Sequence, residues 1–251
     1  IRLQSLGFPT KIISQVGHDD LGKSLVSIIN EKKVDTALIQ VSETLGTGEV
    51  LVHLDEKGSA TYDIVYPSAW DGIALTEANK NAVKESDAFV FGSLACRDAV
   101  SKNTLLELLK VAKYKLFDIN IRPPFYSIAL LEELMLLADF IKLNDEELLE
   151  VAHEMGSTTD SIEENIIFIA NKTQTKTICI TRGGDGAVLY INDTFYSHPG
   201  FKVTVADTIG AGDSFFASLL SKLLVSTDYQ EAVTFGCAVG ALVASQKGAN
   251  P

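Results

Sequence analysis

No apolar stretch in this 251-residue sequence is long enough to cross a bilayer. "DAFVFGSLAC" and "ALLEELMLLADFI" fall short of, or are too charged for, the ~20 apolar residues a span requires. Cysteine is scarce. Cys96, Cys179 and Cys237 are odd in number, widely spaced and set among apolar neighbours, so they offer neither a disulfide framework nor a zinc site. Three buried thiols in a reducing cytosol are expected. Basic charge is short too: 21 Lys and Arg against 33 Asp and Glu give a formal net charge of −12, which repels a phosphate backbone and argues against nucleic acid as a partner.

Several reactive patterns are also missing. There is no GxxxxGK[ST] and no GxSxG, and "GTGEVL" at Gly46 lacks the third glycine of a dinucleotide loop. His153–Glu154 lacks the second histidine of HExxH. The opening "IRLQSLGFPTKIISQVG" has neither an initiator Met nor the charged start and apolar centre of a signal peptide, so a cytoplasmic protein whose true N-terminus is missing is expected. With 46% hydrophobic and 22% charged residues and no low-complexity run, one main domain over 1–251 is expected.

What is present is alternation. "KIISQVG" reads as a strand, followed by a helix with Leu21, Leu25, Ile28 and Ile29 on helical spacing. From Thr36 to Tyr66 the strands "ALIQV", "GEVLVHLD" and "ATYDIVY" follow one another through "ETLGT" and "EKGS" turns, a hairpin-rich insert within about 36–70 suited to cover a site as a lid. An exposed strand there could pair with a second subunit, giving a homodimer through the lid. Strand and helix then alternate: "DAFVFGS", a helix over 103–113, "KLFDIN", a helix over 128–138, "FIKLN" and a helix over 145–155. "KTICITRG" and "GAVLYIND" make two strands, and "DSFFASLLSKLL" and "EAVTFGCAVGALVASQKG" two helices. The pattern predicts an α/β fold, a mainly parallel sheet wrapped by helices, with its ligand crevice at the carboxyl ends of the strands. Those ends carry Asp118 and Asn120, Lys142 and Asn144, the stretch 181–186, and 207–213.

In "ADTIGAGDSFF", Gly210, Ala211 and Gly212 have no bulky side chains, so their backbone N–H groups can approach an anion while the following helix adds its positive end. Asp213 falls in that helix's first turn, where a carboxylate can take the proton of an attacking hydroxyl. Helix capping explains one Asp and one Gly but leaves Asp207, Thr208 and the GAG run unexplained. In "KLNDEE", Asn144 and Glu147 read two ways: as a capping box, or as a pair orienting waters around a hard cation such as Mg²⁺. "TRGGDG" taken alone is a hairpin turn.

"DTIGAGDSF" resembles the DTxGAGD signature of the PfkB, or ribokinase, family of carbohydrate kinases, and "DINIR", "KLNDEE" (for KxNxxE) and "TRGGDG" (for TxGxxG) follow in the family's order over most of the chain. The resemblance implies a ribokinase-like fold, transfer of the ATP γ-phosphoryl group to a sugar hydroxyl, and a Mg²⁺ cofactor. It makes Asp213 the base and 210–212 the anion hole. Thr181, Gly183 and Gly186 become nucleotide contacts, with Lys142, Asn144, Glu147 and Gly248, in the segment similar to the family's GA loop, on the cofactor side. Cys237 stands where many members have Asn. Relatives activated by K⁺ place that ion near the loop matching Asp207. The lid sequence, with Thr47, Gly48 and "AWD" at 69–71, is most similar to the fructokinase branch, which implies fructose as acceptor. Trp70 then either stacks on the sugar or anchors the lid. Asn120 and Arg122 would meet sugar or phosphate, unless Arg122 closes a salt bridge at the sheet edge. The family's first strand, with a sugar-binding Asp and a GGxxxN segment, has no match here. A kinase of ribose or a nucleoside, and a non-catalytic sugar or nucleotide sensor on the same fold, remain as alternatives.

Overall fold

The computed structural model describes residues 1–54, 60–248 and 251, so the "EKGS" turn lies outside the described residues. The chain begins with helix α1 (Arg2–Ser5), strand β1 (Ser14–Gly17), helix α2 (Asp20–Glu31) and strands β2 (Ile39–Ser42), β3 (Val50–Leu54) and β4 (Ala60–Ile64). It continues through α3 (Glu77–Glu85), β5 (Phe89–Gly92), α4 (Ala99–Leu109), β6 (Lys115–Asp118), α5 (Ile128–Leu137), β7 (Phe140–Asn144), α6 (Asp145–Glu154) and α7 (Ile162–Thr173). Strands β8 (Thr177–Thr181), β9 (Ala187–Ile191) and β10 (Thr194–His198) and helices α8 (Ala211–Leu223) and α9 (Tyr229–Ala244) complete it. Two compact units result, one of residues 9–86 and 95–112, the other of residues 1–8, 87–94 and 113–251.

The larger unit is built on a six-stranded sheet in the order β10-β9-β8-β7-β6-β5. Strands β5 to β8 are parallel, whereas β9 and β10 join antiparallel at one side. Phe140 to Leu143 and Thr177 to Ile180 are all buried, whichever face they point to, which is why these strands read as continuous apolar runs rather than alternating ones. Helices α5, α6 and α7 pack as one group, and α1, α8 and α9 as another. Phe140 stacks on Phe216 of α8 with ring centroids 5.4 Å apart, beside Leu116, Cys179, Leu189 and Val233. Helix α9 comes close to α8 because Gly236 and Gly240 face Phe215: a Cβ at Gly236 would lie 3.0 Å from its ring. All three cysteines are free and buried, as expected.

The smaller unit holds the parallel pair β1–β2 and the antiparallel hairpin β3–β4. Asp19 caps α2 by accepting from Gly22 N–H at 2.7 Å, and it also accepts from Thr47 N–H at 2.8 Å and from Thr47 Oγ1 at 2.7 Å. These bonds hold its carboxyl below the usual range. Near the end of the hairpin, Arg97 forks onto Asp71 (Nε–Oδ1 2.6 Å, Nη2–Oδ2 2.7 Å), with side chains 0% and 2% exposed.

Four details differ from the sequence expectation. The strand expected over 11–17 is ordered as β only from Ser14, with Lys11 reduced to an isolated bridge to Asp35. Of the four apolar residues on helical spacing in α2, Ile29 is buried, whereas Leu21, Leu25 and Ile28 are turned outward, 46%, 41% and 48% exposed. The inward face is Gly22, Val26 and Ile29, because Gly22 lies so near the Gly17 carbonyl and Thr47 that a Cβ would meet them at 2.6 and 2.7 Å. The helix expected over 103–113 begins instead at Ala99, because Asp98 accepts from Val100 N–H and caps it there. Helices α3 and α7 and strand β10 were not foreseen, although Thr76 and Ser161 are ordinary caps three residues before Asn79 and Glu164.

Candidate active site

Helix α8 starts on Gly210, whose left-handed backbone (φ 76°) supplies no capping side chain. Ala211 N–H donates to Thr208 O at 3.2 Å and Ser214 N–H to Gly210 O at 2.9 Å. Between them, the N–H groups of Gly212 and Asp213 have no partner among the described residues. The Cβ position of Gly212 faces open space, so an oxyanion can reach both donors at the positive end of a 13-residue helix. The Asp213 side chain is exposed and makes no hydrogen bond among the described residues. Asp207 has a different task. Its carboxylate accepts from Ile209 N–H at 3.0 Å and Gly248 N–H at 3.1 Å, bonds that lower its pKa. The backbone N–H groups of Ala206 and Asp207 donate to Ala244 O at the end of α9, so the loop before α8 is fastened to the chain after α9.

The parallel register of β6 and β7 sets Asp118 beside Lys142, and their side chains, 14% and 9% exposed, pair at 2.9 Å. Burial pushes the Asp118 carboxyl up against the pull of Lys142, and Asp213 pushes it further the same way. Lys142 also loses hydration, but Asp118 and then Glu147 outweigh that loss and raise the ammonium's pKa. Its Nζ lies 5.9 Å over the Phe216 ring, one turn along the helix that carries Asp213. A buried cation is therefore placed under the start of α8.

After β6 the chain turns through Asn120, a non-glycine residue at φ 44°. Ile119 N–H donates to Lys142 O at 3.0 Å, and Ile119 O accepts from Ser93 Oγ at 2.7 Å. The Arg122 side chain is exposed, gives one N–H to Ile121 O at 2.8 Å, and has no carboxylate partner among the described residues. The edge salt bridge is thus not formed, and most of the guanidinium fork is free.

Asn144 and Glu147 do form a capping box, Glu147 N–H to Asn144 Oδ1 at 2.7 Å and Asn144 N–H to Glu147 Oε2 at 2.8 Å. Glu147 is buried, and its other oxygen accepts from Ile121 N–H at 2.8 Å. No group of three or more His, Cys, Asp or Glu among the described residues could cage a metal. One carboxylate and one amide could orient the water shell of a hard cation, not cage it.

In the stretch 181–186 the two glycines expected at the nucleotide, Gly183 and Gly186, separate. Gly183 (φ 52°) is exposed with open space at its Cβ, so it can lie against a ligand. Gly186 (φ 82°) is buried, and a Cβ there would collide with the His198 carbonyl and Gly200 N–H, so its lack of a side chain serves the packing of the chain after β10. Thr181 Oγ1 reaches Leu143 O at 3.5 Å. Arg182 Nη2 donates to Asp185 O at 2.7 Å while its Nε is buried without a hydrogen-bond partner among the described residues. Cys237 on α9 has its thiol pushed up to about 11, chiefly by burial and against Arg182, so it stays protonated. Trp70 belongs to the smaller unit. Arg97 stacks on its ring at 3.8 Å and Ser101 Oγ holds its carbonyl at 2.7 Å, contacts that an anchoring role needs.

Sequence reasoning missed the two links made across neighbouring strand ends, Asp118 to Lys142 and Glu147 to Ile121. An Asp and a Lys closing successive apolar strands were the available signal for the first, while nothing in the sequence marked the second.

The sequence model of the "pfkB family carbohydrate kinase" group matches residues 1–251. An uncharacterized sugar kinase from Pyrococcus horikoshii is 30% identical over 261 residues, 99% of this chain and 79% of its own length. Its crystal structure in complex with ATP superposes with a TM-score of 0.86, at 28% identity, over 99% of this chain and 81% of that one. The fructokinase from Vibrio cholerae O395, in its fructose, ADP and calcium ion bound form, gives a TM-score of 0.83 at 27% identity over 99% of this chain and 83% of that one. Fructokinase from Salmonella typhimurium is 27% identical over 260 residues, 97% of this chain and 82% of its own length. A family match over the whole chain, together with this ribokinase-like architecture, makes the protein a member of the PfkB family of carbohydrate kinases.

Proposed function

We propose that this protein transfers the γ-phosphoryl group of ATP to a primary hydroxyl of fructose, giving fructose 6-phosphate and ADP. The observation that carries the reading is the pair of unpartnered N–H groups on Gly212 and Asp213 beside the free carboxylate of Asp213. Phosphoryl transfer needs both an anion hole and a base at one place. Asp213 takes the hydroxyl proton as the hydroxyl oxygen bonds to phosphorus and the bond to the ADP oxygen breaks. The N–H groups of Gly212 and Asp213 and the free fork of Arg122 take up charge on the moving phosphoryl group, Ala211 N–H being already bonded to Thr208 O, and Lys142 offsets buried negative charge below it. Asn120 meets the sugar, Thr181, Gly183 and Gly248 border the nucleotide, and Asp207 shapes the loop. Mg²⁺, held through water by Asn144 and Glu147, would neutralise phosphate oxygens. Fructose as acceptor is supported by the fructokinase relatives at 25–27% identity.

The test incubates the protein with MgATP and, separately, fructose, ribose, tagatose and adenosine, following ADP release and identifying the product by ³¹P NMR. Fructose 6-phosphate is expected, at a kcat/KM at least tenfold above that of any other acceptor. A preferred acceptor other than fructose replaces the substrate, and ADP release with none of them leaves a sensor as the reading.

A further inference from the structure

A capping box asks only one thing of its acidic member: a single oxygen for the N–H of the cap residue, which Gln supplies as well as Glu. Glu147 does more. Oε2 takes the Asn144 N–H, while Oε1 takes the N–H of Ile121, from the turn after β6 and 26 residues earlier in sequence. Both bonds are 2.8 Å, and the Glu147 side chain lies in a residue only 8% exposed. A glutamine could keep the cap, but its NH₂ would then face the Ile121 N–H, donor against donor, in a buried place. The second bond therefore demands a carboxylate, and the cap does not.

Ile121 is also the residue whose carbonyl holds the Arg122 guanidinium, at 2.8 Å from Nη1. Its N–H is gripped by Glu147 and its C=O grips Arg122, so one backbone unit links the start of α6 to the free guanidinium fork. The preceding residues are held separately, Ile119 by Lys142 O and by Ser93. Without Glu147, the turn stays fastened at Ile119 but loses its hold at Ile121.

We propose that Glu147 is a positioning residue that ties the Ile121 backbone, and through it the Arg122 guanidinium, to the start of α6. The inference rests on the kinase reading only for what Arg122 then touches. It gives the carboxylate a task separate from orienting waters on a metal, and the two tasks have different consequences.

The test compares the protein with E147Q, R122A and the double variant, by amide hydrogen exchange without ligand and by kinetics at saturating Mg²⁺. In E147Q the Ile121 amide should exchange at least ~10-fold faster while the Ile119 amide, bonded to Lys142 O, is unchanged. The acceptor kcat/KM should fall ~10- to 100-fold in E147Q and stay low with excess Mg²⁺, because a misplaced group is not restored by more metal. The double variant should fall no more than about twofold below the weaker single one, since both remove one placed guanidinium. Unchanged Ile121 exchange, full rescue by Mg²⁺, or losses that multiply would overturn the proposal. If E147Q does not fold, the wild-type Ile121 amide decides: protection equal to that of Ile119 supports the tie, and free exchange removes it. The exchange arm also reads in a protein that phosphorylates nothing, so failure of the kinase reading and failure of the tie are told apart.

Discussion

Asp213→Ala in this protein should lower kcat with the preferred sugar ~10²-fold or more while leaving the KM for ATP within about twofold. The expectation follows from what Asp213 does not do. Its side chain is exposed and carries no hydrogen bond or ion pair among the described residues, so its removal breaks nothing in the fold. The one structural loss is a carboxylate in the first turn of α8, which helix electrostatics places at about 0.3–1 kcal/mol. The backbone donors at Gly212 and at residue 213 itself survive the substitution, so binding of the transferring phosphate should be kept. What disappears, on the proposed mechanism, is the acceptor for the hydroxyl proton. Asp213→Asn sharpens the comparison, since it preserves shape and removes basicity, and it should be nearly as slow as the alanine variant. Steady-state kinetics with thermal melting on the same samples decide the matter. Wild-type turnover in a folded Asp213→Ala protein would remove Asp213 as the base.

The parts of this site that were legible in the sequence are those carried by one local stretch. Gly210 to Asp213 announce themselves because small residues before a helix leave backbone donors uncovered, and two of those donors, at Gly212 and Asp213, are unpartnered among the described residues while Ala211 N–H is taken by Thr208 O. Asn144 and Glu147 are a capping box at three-residue spacing, and that box forms. Contacts that depend on strand order were not legible. Asp118 meets Lys142 only because β6 and β7 are parallel neighbours in one register, and Ile121 meets Glu147 for the same reason. The α2 stripe shows a subtler limit. Apolar spacing gives the period of a helix but not which face is inward, and here a backbone approach at Gly22, not the leucines, sets the phase. Gly186 shows the converse. A family motif drew it towards the nucleotide, whereas its Cβ position is filled by the chain at His198 and Gly200.

The "AWD" motif leads to the largest effect expected on stability. Asp71→Ala should destabilise the fold by about 3–5 kcal/mol, the usual result of stripping one partner from a buried ion pair. At roughly 2–4 °C per kcal/mol for a domain of this size, that is a drop of about 6–20 °C in Tm. Asp71 is 2% exposed and the Arg97 side chain is fully buried, so water cannot replace the lost carboxylate. The guanidinium would keep its bond to Val65 O at 2.8 Å and its stacking on Trp70 and Tyr66, but its buried charge would lose the Asp71 carboxylate. The same substitution frees Ser68 N–H, which donates to Asp71 Oδ2 at 2.8 Å and closes the capping box of the turn carrying Trp70. Trp70 is the sole tryptophan and lies against Arg97, so its emission during unfolding reports on this unit. A double variant, Asp71→Ala with Arg97→Met, should recover part of the loss, because it removes the buried charge that Asp71 balanced while keeping an apolar chain against the two rings. A Tm within two or so degrees of wild type for Asp71→Ala would show that the pair holds nothing. A double variant no better than the single would place the cost in the opened turn rather than in the buried charge.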